Sequence, residues 1–302
     1  MGCLNNFLLT FLLSSSFSFS QELIHEQSEN PLVWIDGGEI TIGNEEQPDA
    51  QPLFRTKVTG FWMHQYEVSN TQFADFVSAT GYVTLAERNG GSFVFNPNFS
   101  KDTSVLENAP WWTYELGANW KHPQGRNSSI EGKEQHPVVH IAYEDACAYC
   151  EWLGMRLPTE VEREYAAKKN GNEEQKNNWQ GTFPETNLNT DGFEWTAPVG
   201  SFKPGKLGLF DMQGNVWEWC LDPYHQHAYY FAKKWNVVSS KPLVPSYFDE
   251  FSPHEETYVI RGGSFLCAEN YCRGYEYNHR MRSSIKMTFS HIGFRCVKME
   301  EN

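Results

Sequence analysis

The sequence predicts an α+β fold: one loop-rich domain with little regular secondary structure. Three observations carry this expectation. Few segments have helical or alternating periodicity, the chain beyond about Asn170 is dense in Asn, Gly, Pro and aromatic residues, and no repeat or low-complexity linker divides it. Aromatic residues make up 15% of the chain and include 11 Trp, supplying large rigid side chains to pack irregular backbone.

Residues 1–20 read as a signal peptide. Phe7–Leu13 is a short apolar run, and small residues at Ser18 and Ser20 suit cleavage before Gln21, although no Lys or Arg precedes the run. The run is shorter than the ~18 apolar residues of a membrane span, and no later segment approaches that length. The expected location is extracytoplasmic, and residues 21–302 form the expected single, monomeric domain. That leaves roughly 280 residues, near the upper limit of one core. Asn98-Phe99-Ser100 and Asn127-Ser128-Ser129 are glycosylation sequons.

Pro31–Gly43 reads as two short strands around a Gly-Gly turn, and Lys57–Ser69 as a further strand region. Ser69 or Asn70 caps a first helix, with Phe73, Phe76 and Val77 on one face and Gly81 ending it. A second helix places Ala146, Tyr149, Cys150 and Leu153 on one side. A third opens at Thr159, with Glu162 completing a capping box.

The net charge of −14 excludes nucleic acid and anionic membrane as expected partners, because both need clustered Lys and Arg. His136 and His140 stand four apart in "HPVVH", but the sequence reads as a strand and offers no acidic third ligand, so zinc is not expected. Neither a Walker loop, a dinucleotide fingerprint nor a nucleophile elbow is present. Two segments are rich in oxygen donors of the kind calcium takes: Asn177, Asn178, Asp191 and Phe193, and Asp211 with Glu218 and the carbonyls between them. Asn, Asp and Gly are also simply turn residues.

Cys267 and Cys272 pose the sharpest question. In an exported chain, two nearby cysteines form a disulfide or are thiols kept for chemistry, and their separation of five is wider than a redox CxxC motif.

The segments "YEVSNTQFADFV", "APWW", "HPVVHIAYEDACAYCEWLGMRLPTEVEREYA", "GLFDMQGNVWEW", "RGGSFLCAENYC" and "GFRC" occur in this order. Together they resemble the formylglycine-generating enzymes, the sulfatase-modifying-factor family, from about Pro31 to the end. The resemblance implies that family's C-type-lectin-like fold. It also implies an enzyme that oxidises a cysteine, in a Cys-x-Pro-x-Arg segment of an unfolded sulfatase, to Cα-formylglycine with O2 and a thiol reductant. Cys267 and Cys272 would then hold Cu(I), a soft ion that thiolates select. Trp217, Ser264, Tyr271, Arg280 and His291 match positions lining the active site. Asn177, Asn178, Asp191 and Phe193 match one calcium site, and Asp211, Gly214, Val216 and Glu218 another. Cys150 and Cys296 match a family disulfide, while Cys147 and Cys220 stay unassigned. Non-catalytic proteins share the superfamily, and a scaffold role or a different thiol substrate are the alternatives.

The sequence departs from the family after Cys272. An arginine has become Glu276, an Asn-Thr-Pro-Asp turn has become Ser284–Met287, and an active-site Asn has become His291. Gly91 stands where animal members carry an acidic residue in the substrate groove. His291 retains hydrogen-bonding capacity, is a possible copper ligand, and is expected to titrate near neutrality.

Overall fold

A computed structural model describes residues 30–99, 106, 109–171, 174–235 and 240–300. The expected signal peptide lies outside the described residues, as does Ser100 of the first sequon. Among the described residues no helix is long and apolar enough to cross a membrane.

Strands β1 (Leu32–Ile35) and β2 (Gly38–Ile42) flank the Gly-Gly turn, but they do not pair with each other. β1 pairs with β4 (Phe61–His64), which also takes the last strand, β11 (Val297–Met299), on its other edge. β2 pairs instead with β3 (Phe54–Val58). The turn therefore passes the chain from one small sheet to another, and the two ends of the described chain meet across β4.

Helix α1 (Asn70–Thr80) is framed by local chemistry. Ser69 and Gln72 exchange capping-box hydrogen bonds, and Gly81 closes the helix in the left-handed region at φ +68°. Phe73 and Phe76 are buried and pack on Tyr149 of α3 (Tyr143–Trp152). A short helix α2 (Leu85–Asn89) leads into the antiparallel ribbon of β5 (Gly91–Phe95) and β6 (Trp112–Leu116).

Helix α4 (Glu160–Asn170) opens with the predicted Thr159–Glu162 capping box. Its sequence, EVEREYAAKKN, is rich in charge, yet Glu160, Glu162, Arg163 and Glu164 are all buried. Buried charges persist only when paired, and each of these is. Arg163 donates to both oxygens of Glu218, at 2.7 and 3.1 Å, and Arg295 donates to the same two at 2.9 and 2.8 Å. Glu162 takes Arg156, Glu164 takes Arg261, and Glu160 takes Arg280 through two bonds of 2.7 and 2.9 Å. Burial opposes ionisation of Glu160, but Arg280 and Arg261 more than offset it and hold its carboxyl below the usual range.

This network anchors the main sheet, in the order β10–β7–β8–β9, comprising β7 (Trp217–Pro223), β8 (Thr257–Arg261), β9 (Arg280–Ser284) and β10 (Ile292–Gly293). β10 runs parallel to β7 and the other pairs are antiparallel. Helix α5 (Ala228–Trp235) crosses between β7 and β8. The part of the chain expected to be loop thus holds the principal sheet. β7 and β8 are buried on both faces, so they lack the alternation by which a half-exposed strand is recognised.

The cysteine pairing implied by the resemblance is corrected here. Cys150 and Cys296 are buried free thiols; burial first, then the hydrogen bond and charge of Cys296, push the Cys150 thiol well above its ordinary pKa. Cys147 and Cys220 are also free. The segment 136–140 is not a strand: His136 meets the Thr196 hydroxyl at 2.9 Å, and His140, at φ +61°, bonds Ser92 Oγ and the Pro123 carbonyl.

Removing the Glu218 carboxylate would leave two guanidinium groups buried without their counter-charge. Glu218→Ala is expected to lose about 3–5 kcal/mol of unfolding free energy, read by urea denaturation; a loss under about 1 kcal/mol would contradict the role assigned to it.

Candidate active site

The site begins where β8 ends. Arg261-Gly262-Gly263-Ser264 turns the chain through two residues in the left-handed region, at φ +95° and +75°. A Cβ on Gly263 would lie 2.4 Å from the Tyr275 nitrogen, so only glycine permits the 264–275 loop to fold back this tightly. The loop is pinned by Phe265 N–H to Asn215 O (2.9 Å), Trp179 N–H to Cys267 O (3.1 Å) and Cys267 N–H to Ser264 O (2.9 Å).

Within this loop the structure joins Cys267 to Cys272 as a disulfide, with Cα atoms 5.4 Å apart. Both cysteines line a cavity of about 160 Å³. Its walls are aromatic: Trp217 from β7, Trp112 from β6, Trp111, Phe183, Tyr271 and Phe289. Tyr271 stacks on Phe183 at 4.3 Å and meets the edge of Trp111 at 5.3 Å, yet it remains 47% exposed, which places it at the mouth. Gly274 passes against the inner wall, where a Cβ would lie 2.3 Å from Trp217 and 3.0 Å from Cys267 Sγ.

Ser264 is buried in the same wall. Its backbone N–H approaches Cys267 Sγ at 3.4 Å and its hydroxyl accepts Leu266 N–H, leaving the hydroxyl proton free to donate. His291 lies opposite, held by its carbonyl accepting Trp217 N–H (2.9 Å) and by stacking on Trp112 at 4.6 Å. The preceding residues are fixed to β5, with Phe93 N–H on Thr288 O and Ser290 N–H on Phe93 O. The expectation that His291 titrates near neutrality is corrected: burial, with His140 nearby, pushes its pKa down to about 3.

Comparison with known proteins bears on this cavity. Residues 20–300 match the family described as sulfatase-modifying factor enzyme 1-like domain. The chain belongs to that family. A protein named formylglycine-generating enzyme from Thermomonospora curvata is 41% identical, over 88% of this chain and 92% of that one. A mouse protein named inactive C-alpha-formylglycine-generating enzyme 2 is 37% identical, over 96% and 91%. The solved structure of PvdO from Pseudomonas aeruginosa shares the fold, with a TM-score of 0.61 and 24% identity over 89% of this chain and 94% of that one.

Of the residues singled out in the sequence, Trp217, Ser264, Cys267, Tyr271, Cys272 and His291 all line this one cavity. Arg280 is not among them. Its side chain is instead sealed against Glu160, Tyr224 and Tyr229. Its neighbours Met281, Arg282 and Ser283 line the cavity instead. Gly91 is also misplaced as a groove position: it is buried opposite Leu116 in the ribbon, and a Cβ would lie 2.5 Å from Glu115 O. Glu276 pairs with Arg273 at the surface, and Ser284–Met287 is a turn closed by Met287 N–H on Ser284 O. The sequence reading missed Trp112, Phe183, Phe289 and Ser283; only the "APWW" segment carried a signal, for the Trp111–Trp112 pair.

The two implied calcium sets behave differently. In the first, the Asn178 carbonyl and Asp191 Oδ2 converge on one positively polarised group, the side-chain nitrogen of Gln180. These are two of the six to eight oxygens that calcium takes, and in this structure the Gln180 amide holds them. Asn177 lies one residue away, although its side-chain amide is turned to Trp195 O and Asn215, and Phe193 N–H caps Asp191 Oδ1. The second set does not fit. Both oxygens of Glu218 are taken by Arg163 and Arg295, and Asp211 Oδ2 accepts Gly200 N–H. Gly214 and Val216 lie in the same buried turn, where Val216 N–H donates to Glu67. Glu67 is a third buried carboxylate that sequence reasoning missed; burial, then Asp211 and Glu218, raise its pKa well above the usual range.

The Cys267–Cys272 pair fits Cu(I) only as two thiols. Reduced, the cysteines would present two soft donors on one cavity wall, beside space for a further ligand.

His291 should stay uncharged across the physiological range. Since its folded pKa lies below 6.5, its contribution to stability is complete above pH 6.5 and is lost as the pH falls toward 3. Imidazole NMR shifts of His291 should stay constant from pH 8 to 5; a midpoint near 6.5 would refute the burial assigned to it.

Proposed function

We propose that this chain oxidises the cysteine of a Cys-x-Pro-x-Arg segment in an unfolded sulfatase to Cα-formylglycine, using O2, with Cu(I) between Cys267 and Cys272. The observation that carries the reading is one pair of cysteines side by side in the wall of an aromatic cavity that opens to the surface. The family relatives named for this reaction support it.

The balance defines what the site must manage. The substrate –CH2–SH becomes –CHO, its sulfur leaving as hydrogen sulfide and two electrons passing to O2. Two further electrons come from a pair of thiols that end as a disulfide, and the second oxygen atom leaves as water. Bound Cu(I) would supply the one-electron chemistry of O2 and a position for the substrate thiolate.

The chain's own residues supply the setting. The Cys267–Cys272 bond must first be reduced, which the same thiol reductant can do, because an exposed neighbour, Tyr271, leaves the pair reachable from the mouth. Trp112, Trp217 and Phe289 keep water from the reacting carbon. Their apolar surface also raises the pKa of an incoming thiol, so ionisation waits for a soft cation. Ser264 offers its hydroxyl proton beside Cys267. Calcium at Asn178 and Asp191, with Asn177 and Phe193 adjoining, would stiffen the segment whose Trp179 N–H holds the Cys267 carbonyl. Export is proposed on the apolar Phe7–Leu13 run.

A second reading, a non-catalytic binding protein, is favoured by the similarity to a relative named inactive. One experiment separates them. A Cys-x-Pro-x-Arg peptide incubated with Cu(I)-loaded protein, O2 and a thiol should gain an aldehyde by mass spectrometry, and Cys272→Ser should reduce conversion at least a hundredfold. A peptide left unchanged by copper-loaded wild type would reject formylglycine formation on this sequence.

A further inference from the structure

The loop that carries Cys267 and Cys272 is gripped at its middle by a second segment of the chain. The side-chain amide of Asn270 meets both backbone groups of one residue: Phe183 N–H donates to Asn270 Oδ1 at 3.2 Å, and Asn270 Nδ2 donates to the Phe183 carbonyl at 3.3 Å. The next residue, Tyr271, stacks on the Phe183 ring at 4.3 Å with the planes 13° apart. Phe183 is thus engaged twice, through its backbone and through its ring. The same segment also reaches the first cysteine, where Trp179 N–H donates to the Cys267 carbonyl at 3.1 Å. Its own shape owes nothing to the sulfur atoms. Trp179 indole N–H donates to Thr186 O at 2.9 Å, Thr186 N–H to Thr182 O at 2.8 Å, and Leu188 N–H to Gln180 O at 2.7 Å. A Cβ on Gly181, at φ +140°, would lie 2.4 Å from Thr186 O, so glycine is what lets this turn close.

We propose that Asn270 is a positioning residue, which presets the distance between the two sulfurs by tying the middle of their loop to Phe183. The cysteines are five apart in sequence, and an untethered stretch of that length samples many conformations in which the thiols lie far apart. Fixing its middle removes much of that freedom and raises the effective concentration of one thiol at the other. With the clamp in place the two Cα atoms stand 5.4 Å apart, within the span a disulfide takes. Because the 179–188 segment is braced by its own bonds, it holds the loop whether the sulfurs are joined or open. The proposal goes beyond the formylglycine reading and does not need it, since it concerns the pair whatever substrate the cavity takes.

Thiol–disulfide exchange reads this directly. The protein is equilibrated with dithiothreitol: two electrons and two protons pass from the reductant, the S–S bond opens to two thiols, and dithiothreitol ends as its cyclic disulfide. Mass spectrometry of the alkylated 267–272 peptide gives the fraction open. Asn270→Ala should favour the open pair about three- to tenfold over wild type, the worth of one or two partly exposed hydrogen bonds. That is a rise of about 15–30 mV in reduction potential, at 29.6 mV per tenfold. Glu269→Ala, at an exposed neighbour outside the clamp, should leave the exchange constant unchanged. Urea unfolding of the two redox forms separates positioning from simple stabilisation. A positioning residue stabilises the closed form more than the open one, whereas a merely structural clamp stabilises both alike and leaves the exchange constant where it was. An exchange constant unchanged in Asn270→Ala would overturn the proposal, as would an equal shift in Glu269→Ala. The assay uses neither copper nor peptide, so a failed conversion assay removes the formylglycine reading alone.

Discussion

The carboxylate of Glu218 is the constraint on which the rest of the fold depends. It is fully buried and receives two guanidinium forks, from Arg163 on α4 and from Arg295 in the C-terminal GFRC segment. One side chain therefore ties together the central strand, the buried helix and the end of the chain. A domain with short strands and long irregular stretches cannot rely on extended ladders for cohesion. Its charged network does part of that work, and the fixed geometry of arginine forks sets the angles at which elements meet. Its neighbour Trp217 is thereby held rigidly enough to serve as a wall of the cavity.

The site follows from that frame. β7 supplies Trp217, and its backbone N–H fixes His291 from β10's approach. β8 ends in the Gly262–Gly263 turn, which throws Ser264, Cys267 and Cys272 back across the sheet toward the β5–β6 ribbon, whose Trp112 closes the opposite side. The two sulfurs come from one loop, whereas the rest of the wall comes from six other segments of the chain. The cavity is walled mainly by aromatic and apolar side chains, with Ser264, Arg282, Ser283 and His291 as polar members of its lining. Such a surface suits a thiol side chain with its adjoining backbone better than a charged metabolite.

What was legible in the sequence is what depends on near neighbours. Ser69 or Asn70 with Gly81, and Thr159 with Glu162, announced helices because caps and stops are made by near neighbours. The cysteine pair and its loop were legible as a motif. The chemistry of α4 was not, because Glu160 and Arg280 meet only after the chain has travelled 120 residues. The resemblance put Arg280 at the cavity, yet its guanidinium is held by Glu160, a partner 120 residues away that no local pattern reveals. β7 and β8 went unseen because burial on both faces erases the period-two signal, and β9 because its RMRSS sequence holds a single apolar residue. His291 was read with its solution pKa, which holds only while water surrounds the ring.

The central claim is that Cys267 and Cys272 are a reducible pair able to hold one soft cation beside an aromatic cavity. Cu(I) titration of the protein before and after reduction, with X-ray absorption of the loaded form, tests it most directly. The account predicts no specific uptake while the disulfide is closed, one Cu(I) per chain once it is opened, and two sulfur scatterers in the first shell. Stoichiometric uptake by Cys267→Ser, or none by the reduced wild type, would contradict it.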